Sequence, residues 1–221
     1  MDVFIDQFFN LGVMAKALPL LWRGFGMTLL LCLAVIPLGI IGGLLAAMAR
    51  LSPLAVVRVP VRVLTDLFRA LPPLVLLILI YSGLPFAGVR LSPFAAVCIA
   101  FFLNASAYYG EVLRAGIESI GFGQWEAARS TGLSSRDTFV FVVLPQAVRN
   151  VLPDLVSNTV EVVKLTSIAS VVSMTELLYS ADMARSITFN ASPVVLAGLF
   201  YLALLWPLVR LASRLEHRVG A

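Results

Sequence analysis

The sequence has few charged residues and little of the chemistry that enzymes use. Only 13% of its 221 residues are charged, there is one histidine and there are two cysteines, and the 16 basic residues include only two lysines, Lys16 and Lys164. So few charges cannot cover the surface of a soluble globule, and so apolar a chain does not stay disordered in water. Cys32 and Cys98 lie inside separate apolar runs and read as small core residues. With His217 alone in a basic tail, neither a common zinc site nor a nucleophile–base pair can be assembled, and no metal or cofactor is expected. A phosphate-binding P-loop needs glycine before its lysine, but Lys16 follows Ala15 and Lys164 follows Val163. The chain is therefore read as lacking catalytic or ATP-hydrolysing machinery of its own.

What is abundant is hydrocarbon. Hydrophobic residues make up 60% and the mean hydropathy is +0.98, against about 45–50% apolar in soluble domains. A helix needs about 20 apolar residues to cross about 30 Å of bilayer core. Charge-free runs cover residues 24–49, 70–89, 91–110 and 186–209. A fifth apolar stretch, 148–178, is interrupted by Asp154, Glu161 and Lys164. The pattern predicts an all-α membrane protein of about five transmembrane helices, with residues 1–221 forming a single domain. The second helix is expected over about 59–81, bent at Pro72 and Pro73. Arg62, Asp66 and Arg69, at i, i+4 and i+7, would give it a salt-bridged interfacial face.

The net charge of +4 and pI near 9.4 reflect arginines placed between apolar runs, which suits a membrane and not a nucleic-acid partner. With the N-terminus outside, one side carries Arg50, Arg58, Arg62, Arg69, Arg114, Arg129, Arg136, Arg149, Arg210, Arg214 and Arg218. The other carries Lys16, Arg23, Arg90 and Arg185. The positive-inside rule makes the first side cytoplasmic and, with five spans, places the C-terminus there too. Residues 1–20, with Asp2 and Asp6 ahead of any basic residue, do not open like a signal peptide and read as an amphipathic segment on the outer face.

The cytoplasmic stretch 111–147 is too long for a simple turn. A short helix over 124–131, a left-handed Gly132 and a Ser134-x-x-Asp137 start signal predict a helix–glycine–helix element whose second helix ends at Pro145. Such a hairpin can dock into a groove on a partner or serve as a surface feature only.

These residues also form an ordered motif. Glu126-Ala127-Ala128, Gly132 and Val142-Val143-Leu144-Pro145 resemble the EAA motif of bacterial ABC importer permeases, with valine at 142 where isoleucine is usual. Leu144-Pro145-Gln146-Ala147, Arg149, Leu152-Pro153 and Lys164-x-Thr166-Ser167 resemble the polar amino acid branch, the histidine/glutamine permease type. Leu21-x-x-Gly24-x-x-x-Thr28-Leu29, Gly39 and Gly43 before Arg50-Leu51-Ser52, Phe68-Arg69-Ala70-Leu71-Pro72 and Tyr108-x-x-Glu111-x-x-Arg114 continue the likeness, which covers about residues 21–177.

The resemblance implies a type I importer permease of the bacterial inner membrane that moves polar amino acids by alternating access. It implies two copies of an ABC ATPase, a second permease copy or paralogue, and a solute-binding protein as partners. Glu126, Ala127, Ala128, Gly132, Leu144 and Pro145 would couple the permease to its ATPase. The alternatives are an ion-coupled secondary transporter, which usually shows internal repeats, and a membrane assembly subunit.

Ionisable groups inside a span are functional candidates by default. Ser157, Asn158, Glu161, Lys164, Thr166 and Ser167 lie in the fifth apolar stretch, with Glu161 and Lys164 at i, i+3. They are candidates for the substrate pathway. The other reading is a structural ion pair.

Overall fold

The computed structural model describes residues 2–219, which form helices and no strand. Helix α1 (Asp2–Phe9) precedes α2 (Leu11–Arg50). Then come α3 (Ala55–Ala70), α4 (Pro73–Ile78), α5 (Pro93–Glu118), α6 (Phe122–Ser130), α7 (Ser135–Asp137), α8 (Leu144–Asn150), α9 (Leu152–Leu165), α10 (Leu177–Thr188) and α11 (Ser192–Val219). Among the described residues four helices are long and apolar enough to cross a membrane, or five if the broken pair 55–70 and 73–87 makes one span.

Three expected boundaries move. The second span is not one bent helix: Leu71 and Pro72 are both extended and separate α3 from α4. A proline disfavours helical geometry in the residue before it, and Pro73 does this to Pro72. The interrupted stretch leaves its α-helix at Leu165, tightens into a 3₁₀ turn over Thr166–Val172, and does not reach residue 178. The last span begins at Ser192, because residues 186–188 close α10.

Prolines also shape two π-helical turns, over Leu79–Gly83 and Thr138–Val143, each ending two residues before a proline, Pro85 and Pro145. A proline inside a helix has no N–H and crowds the carbonyl four residues back. Widening the preceding turn relieves that crowding, and Leu144 N–H donates to the Phe139 carbonyl, five residues back. The expectation that Pro145 ends the second arm of the hairpin is therefore corrected: the helical path continues through Pro145 to Asn150.

The chain forms two compact units. The first comprises residues 1–37, 72–101 and 160–207. Its apolar core joins Ala17 and Leu21 of α2, Leu177, Ala181 and Ala184 of α10, and Ala197 of α11. At its centre Glu176, fully buried, caps α10 by accepting from the Leu178 and Tyr179 amides at 2.8 and 2.7 Å. The Tyr201 hydroxyl donates to the same carboxylate at 3.1 Å, and Leu177 N–H donates to Thr28 Oγ1 at 3.1 Å. Helix α1 is tied to the α10–α11 connection: Asn190 donates to the Asp6 carbonyl at 2.8 Å and Ala191 N–H to the Gln7 carbonyl at 2.9 Å.

The second unit comprises residues 38–71, 102–159 and 208–221. Here α2 and α5 meet through small residues, as helices do where backbones approach closely. A Cβ on Gly43 would fall 2.6 Å from Tyr109 Cβ, and one on Gly39 would fall 2.9 Å from Ala105 Cβ. The Tyr109 hydroxyl reaches Thr159 at 2.8 Å. The end of α3 is held by α5, where Asn104 donates to the Phe68 carbonyl at 3.2 Å and the Tyr108 hydroxyl to the Arg69 carbonyl at 3.3 Å. These bonds satisfy carbonyls that the break at Leu71 leaves without helical partners.

Candidate functional site

The hairpin of the second unit is built as its sequence requires. Helix α6 ends at Thr131 and Gly132, whose φ of +88° places it in the left-handed region that glycine tolerates best. The Ser134 hydroxyl accepts from Asp137 N–H at 3.1 Å and donates to the Asp137 carboxylate at 2.6 Å, starting the return arm. The two arms pack on each other, with Trp125 and Phe139 rings stacked at 6.5 Å.

The packing divides the motif. Glu126 and Ala127 are exposed, whereas Ala128 is buried. The sequence alone treats the two alanines alike. The fold uses Ala128 inside the hairpin and leaves Ala127 on its outer face. Leu144 is half-buried and Pro145 exposed on the return arm. Phe122 of α6 and Phe141 of the return arm are 74% and 70% exposed. An open groove on α6 is lined by Phe122, Trp125, Glu126, Arg129 and Ser130. This edge is apolar, carries one acid and one base, and has nothing from the described chain over it.

The hairpin is anchored to the end of α5. A Cβ on Gly116 would meet the Ala147 carbonyl at 2.9 Å, and Asn150 donates to the Ser119 hydroxyl at 3.0 Å. An apolar cleft of about 430 Å³ opens between Met48 and Leu51, Ile117 and Ile120, and Trp125 and Phe139.

One turn back from that cleft lies a charge cluster that the residue-by-residue reading missed. Glu111 of α5 takes ion pairs from Arg50, the last residue of α2, from Arg114 one turn on, and from Arg69 of α3 at 3.4 Å. Arg114 also pairs with Glu118, and the Arg69 guanidinium lies 5.5 Å from the centre of the Tyr108 ring. The expected salt-bridged face of α3 is thus corrected, since Arg69 reaches across to α5 and not along its helix to Asp66. The signal was present: Arg50, Arg69 and Glu111 each stand at the edge of a charge-free run.

Along α9 the polar candidates share a face. Asp154, Ser157, Glu161 and Lys164 are exposed at i, i+3, i+7 and i+10. Glu161 and Lys164 form an ion pair with side chains 67% and 51% exposed. Asn158 is half-buried, and its Nδ2 has no partner among the described residues. Thr166 and Ser167 lie in the 3₁₀ turn with hydroxyls spent on the Val163 and Lys164 carbonyls at 2.7 and 2.8 Å.

Residues 39–221 match the family described as binding-protein-dependent transport system inner membrane component. The chain belongs to that family. It is 37% identical to the probable glutamine ABC transporter permease protein GlnP of Bacillus subtilis (strain 168), over 91% of this chain and 94% of that one. It is 34% identical to the probable amino-acid ABC transporter permease protein YckA of the same organism, over 90% and 88%. A solved structure described as an amino acid ABC transporter with histidines superposes with a TM-score of 0.84 at 33% identity, covering 93% of this chain and 96% of that one. The MetNI methionine ABC transporter, at 19% identity and a TM-score of 0.74, shares the fold. The permease is a membrane-embedded transport subunit with the helical architecture of type I ABC importers.

Proposed function

We propose that this permease imports polar amino acids across the bacterial inner membrane as one half of a transmembrane pair, the second half being another copy or a paralogue. Two copies of a separate ABC ATPase dock on the hairpins and a solute-binding protein delivers the substrate. The observation that carries this reading is the uncovered edge of the hairpin. Glu126 lines an open groove with exposed Phe122, and Ala127 is exposed next to it in α6, on an element anchored through Gly116 and Asn150 to helix α5.

In this reading residues 111–147 face the cytoplasm, with the N-terminus outside, residues 1–20 on the outer side and the C-terminus inside; residues 1–221 act as one permease domain. Glu126, Ala127 and Gly132 meet or shape the ATPase contact, while Ala128, Leu144 and Pro145 fix the hairpin's form. Closure of the ATPases around ATP pulls the docked hairpins and biases the pair between inward-open and outward-open arrangements. The α9 stripe of Ser157, Asn158, Glu161 and Lys164, with Thr166 and Ser167 beyond it, lines the pathway. A zwitterionic amino acid finds there one carboxylate and one ammonium on a single exposed face. The reading of amino acids as cargo is supported by the names of the similar permeases.

The test is uptake into proteoliposomes holding the permease, its ATPase and its binding protein. Uptake that needs both ATP and the binding protein supports the proposal. Uptake driven by an ion gradient alone makes the chain a secondary carrier and overturns it.

A further inference from the structure

Helix α3 has two faces that the transport reading does not use. At 16 residues it is about 24 Å long, too short to cross about 30 Å of hydrocarbon. Its side chains divide by angle along its whole length. Val56, Val59, Val63 and Leu67 form one stripe, 82%, 50%, 60% and 47% exposed. Arg58, Arg62, Asp66 and Arg69 form a second stripe that flanks it, centred about 110° round the helix. A helix standing across the bilayer would draw the whole arginine stripe through hydrocarbon. A helix lying in the membrane surface sinks the valine–leucine stripe among acyl chains and holds the arginine edge at headgroup level.

Placement along the chain agrees. Four residues separate α3 from the end of α2, so α3 begins where a spanning helix has just left the membrane. Beyond α3 the chain still has the length to cross. Residues 73–87 rise about 22 Å if helical, and the extended Leu71 and Pro72 add about 7 Å, together about 29 Å.

The charges are only partly consumed within the chain. Arg69 is held by Glu111 and Arg58 donates to the Ser52 carbonyl at 3.3 Å. Arg62 is exposed and makes no ion pair or hydrogen bond among the described residues; Asp66, one turn on, makes none either. With Arg69 held by Glu111, the stripe keeps Arg58 and Arg62 against Asp66, next to uncovered hydrocarbon.

We infer that α3 is an interfacial helix whose Arg58–Arg62 edge binds the phosphate headgroups of anionic phospholipids while Val56, Val59, Val63 and Leu67 lie among their acyl chains. An arginine near such a surface contributes enough to change lipid association about fivefold. This inference does not depend on the identity of the cargo or on the ATPase contact.

Two measurements on the full chain test it. Native mass spectrometry from mixed phosphatidylglycerol and phosphatidylcholine micelles should show phosphatidylglycerol preferentially retained. Arg62→Gln should lower that preference about fivefold, and Arg62→Lys should keep most of it. In phosphatidylglycerol-containing nanodiscs, a nitroxide on Val63→Cys, with Cys32 and Cys98 replaced by serine, should be readily relaxed by oxygen and shielded from a water-soluble nickel complex. Equal retention of the two lipids by wild type and Arg62→Gln overturns the headgroup site. A Val63 label open to the nickel complex, or broadened by a label on a second copy, overturns the interfacial placement and assigns that face to water or to the permease pair.

Discussion

The Arg50 guanidinium, at the last residue of α2, closes on the Glu111 carboxylate of α5, 61 positions further along the chain. The Arg50 side chain is only 9% exposed, and Glu111 is the carboxylate it shares with Arg69 and Arg114. Removing that acid strands a nearly buried cation. Glu111→Gln should destabilise the permease by about 2 kcal/mol, below the roughly 3–5 kcal/mol of a fully buried pair because Glu111 is itself 23% exposed. Unfolding by denaturing detergent reads this directly. The double variant Arg50→Gln with Glu111→Gln should recover part of the loss, since neither charge is then left alone.

Close contact between α2 and α5 gives a second expectation. Gly43→Ala places a methyl within 2.8 Å of the Gly110 nitrogen, where nothing can yield without moving a helix. Overpacking of this kind costs about 1–3 kcal/mol. Gly26→Ala, with nothing within 4 Å of its new Cβ, should leave stability nearly unchanged in the same assay.

Glu176 lies past the span that ends at Val172, and burial pushes its carboxyl above its ordinary value, against the help of the Leu178 and Tyr179 amides and the Tyr201 hydroxyl. A carboxyl raised in the folded state favours folding most below its unfolded pKa of about 4.3 and loses that contribution as pH rises through its folded value. Thermal stability of Glu176→Gln should therefore depend less on pH than wild type across the range just above pH 4.3. Glu176→Ala, which removes the cap altogether, should cost about 1–2 kcal/mol below about pH 4.3, where wild type gains most from this carboxyl, and less as pH rises.

The exposed Glu161–Lys164 pair separates stability from transport. An ion pair open to solvent contributes about 0–1 kcal/mol, so Glu161→Gln should barely change the unfolding midpoint. On the pathway it should nonetheless reduce uptake at least severalfold. Normal uptake by both Glu161→Gln and Lys164→Gln would remove these residues from the pathway.

Much of this architecture could be read from the residues, because a membrane imposes a simple rule: apolar runs of about 20 residues cross, and charges mark their ends. Gly132 and the Ser134–Asp137 cap were equally legible, since left-handed backbone and helix starts have narrow local chemistries. Proline behaviour was not. Pro145 reads as a stop signal, yet a π turn upstream absorbs it, and that turn packs against α6. The different fates of Ala127 and Ala128 depend on which helix face meets the return arm. The Glu111 cluster joins Arg50 to Glu111, 61 positions along the chain, a proximity that no local pattern encodes.

In the proposed function a hairpin edge carries force from a separate ATPase into the bundle. Ala127→Cys is the most direct probe, because Ala127 is exposed where Ala128 is buried. In a nucleotide-trapped complex with Cys32 and Cys98 replaced by serine, an Ala127 crosslinker should capture the ATPase, and Gly132→Pro should abolish both capture and ATP-dependent uptake. If Ala127 never captures an ATPase while uptake proceeds, or if Gly132→Pro transports normally, the account is contradicted.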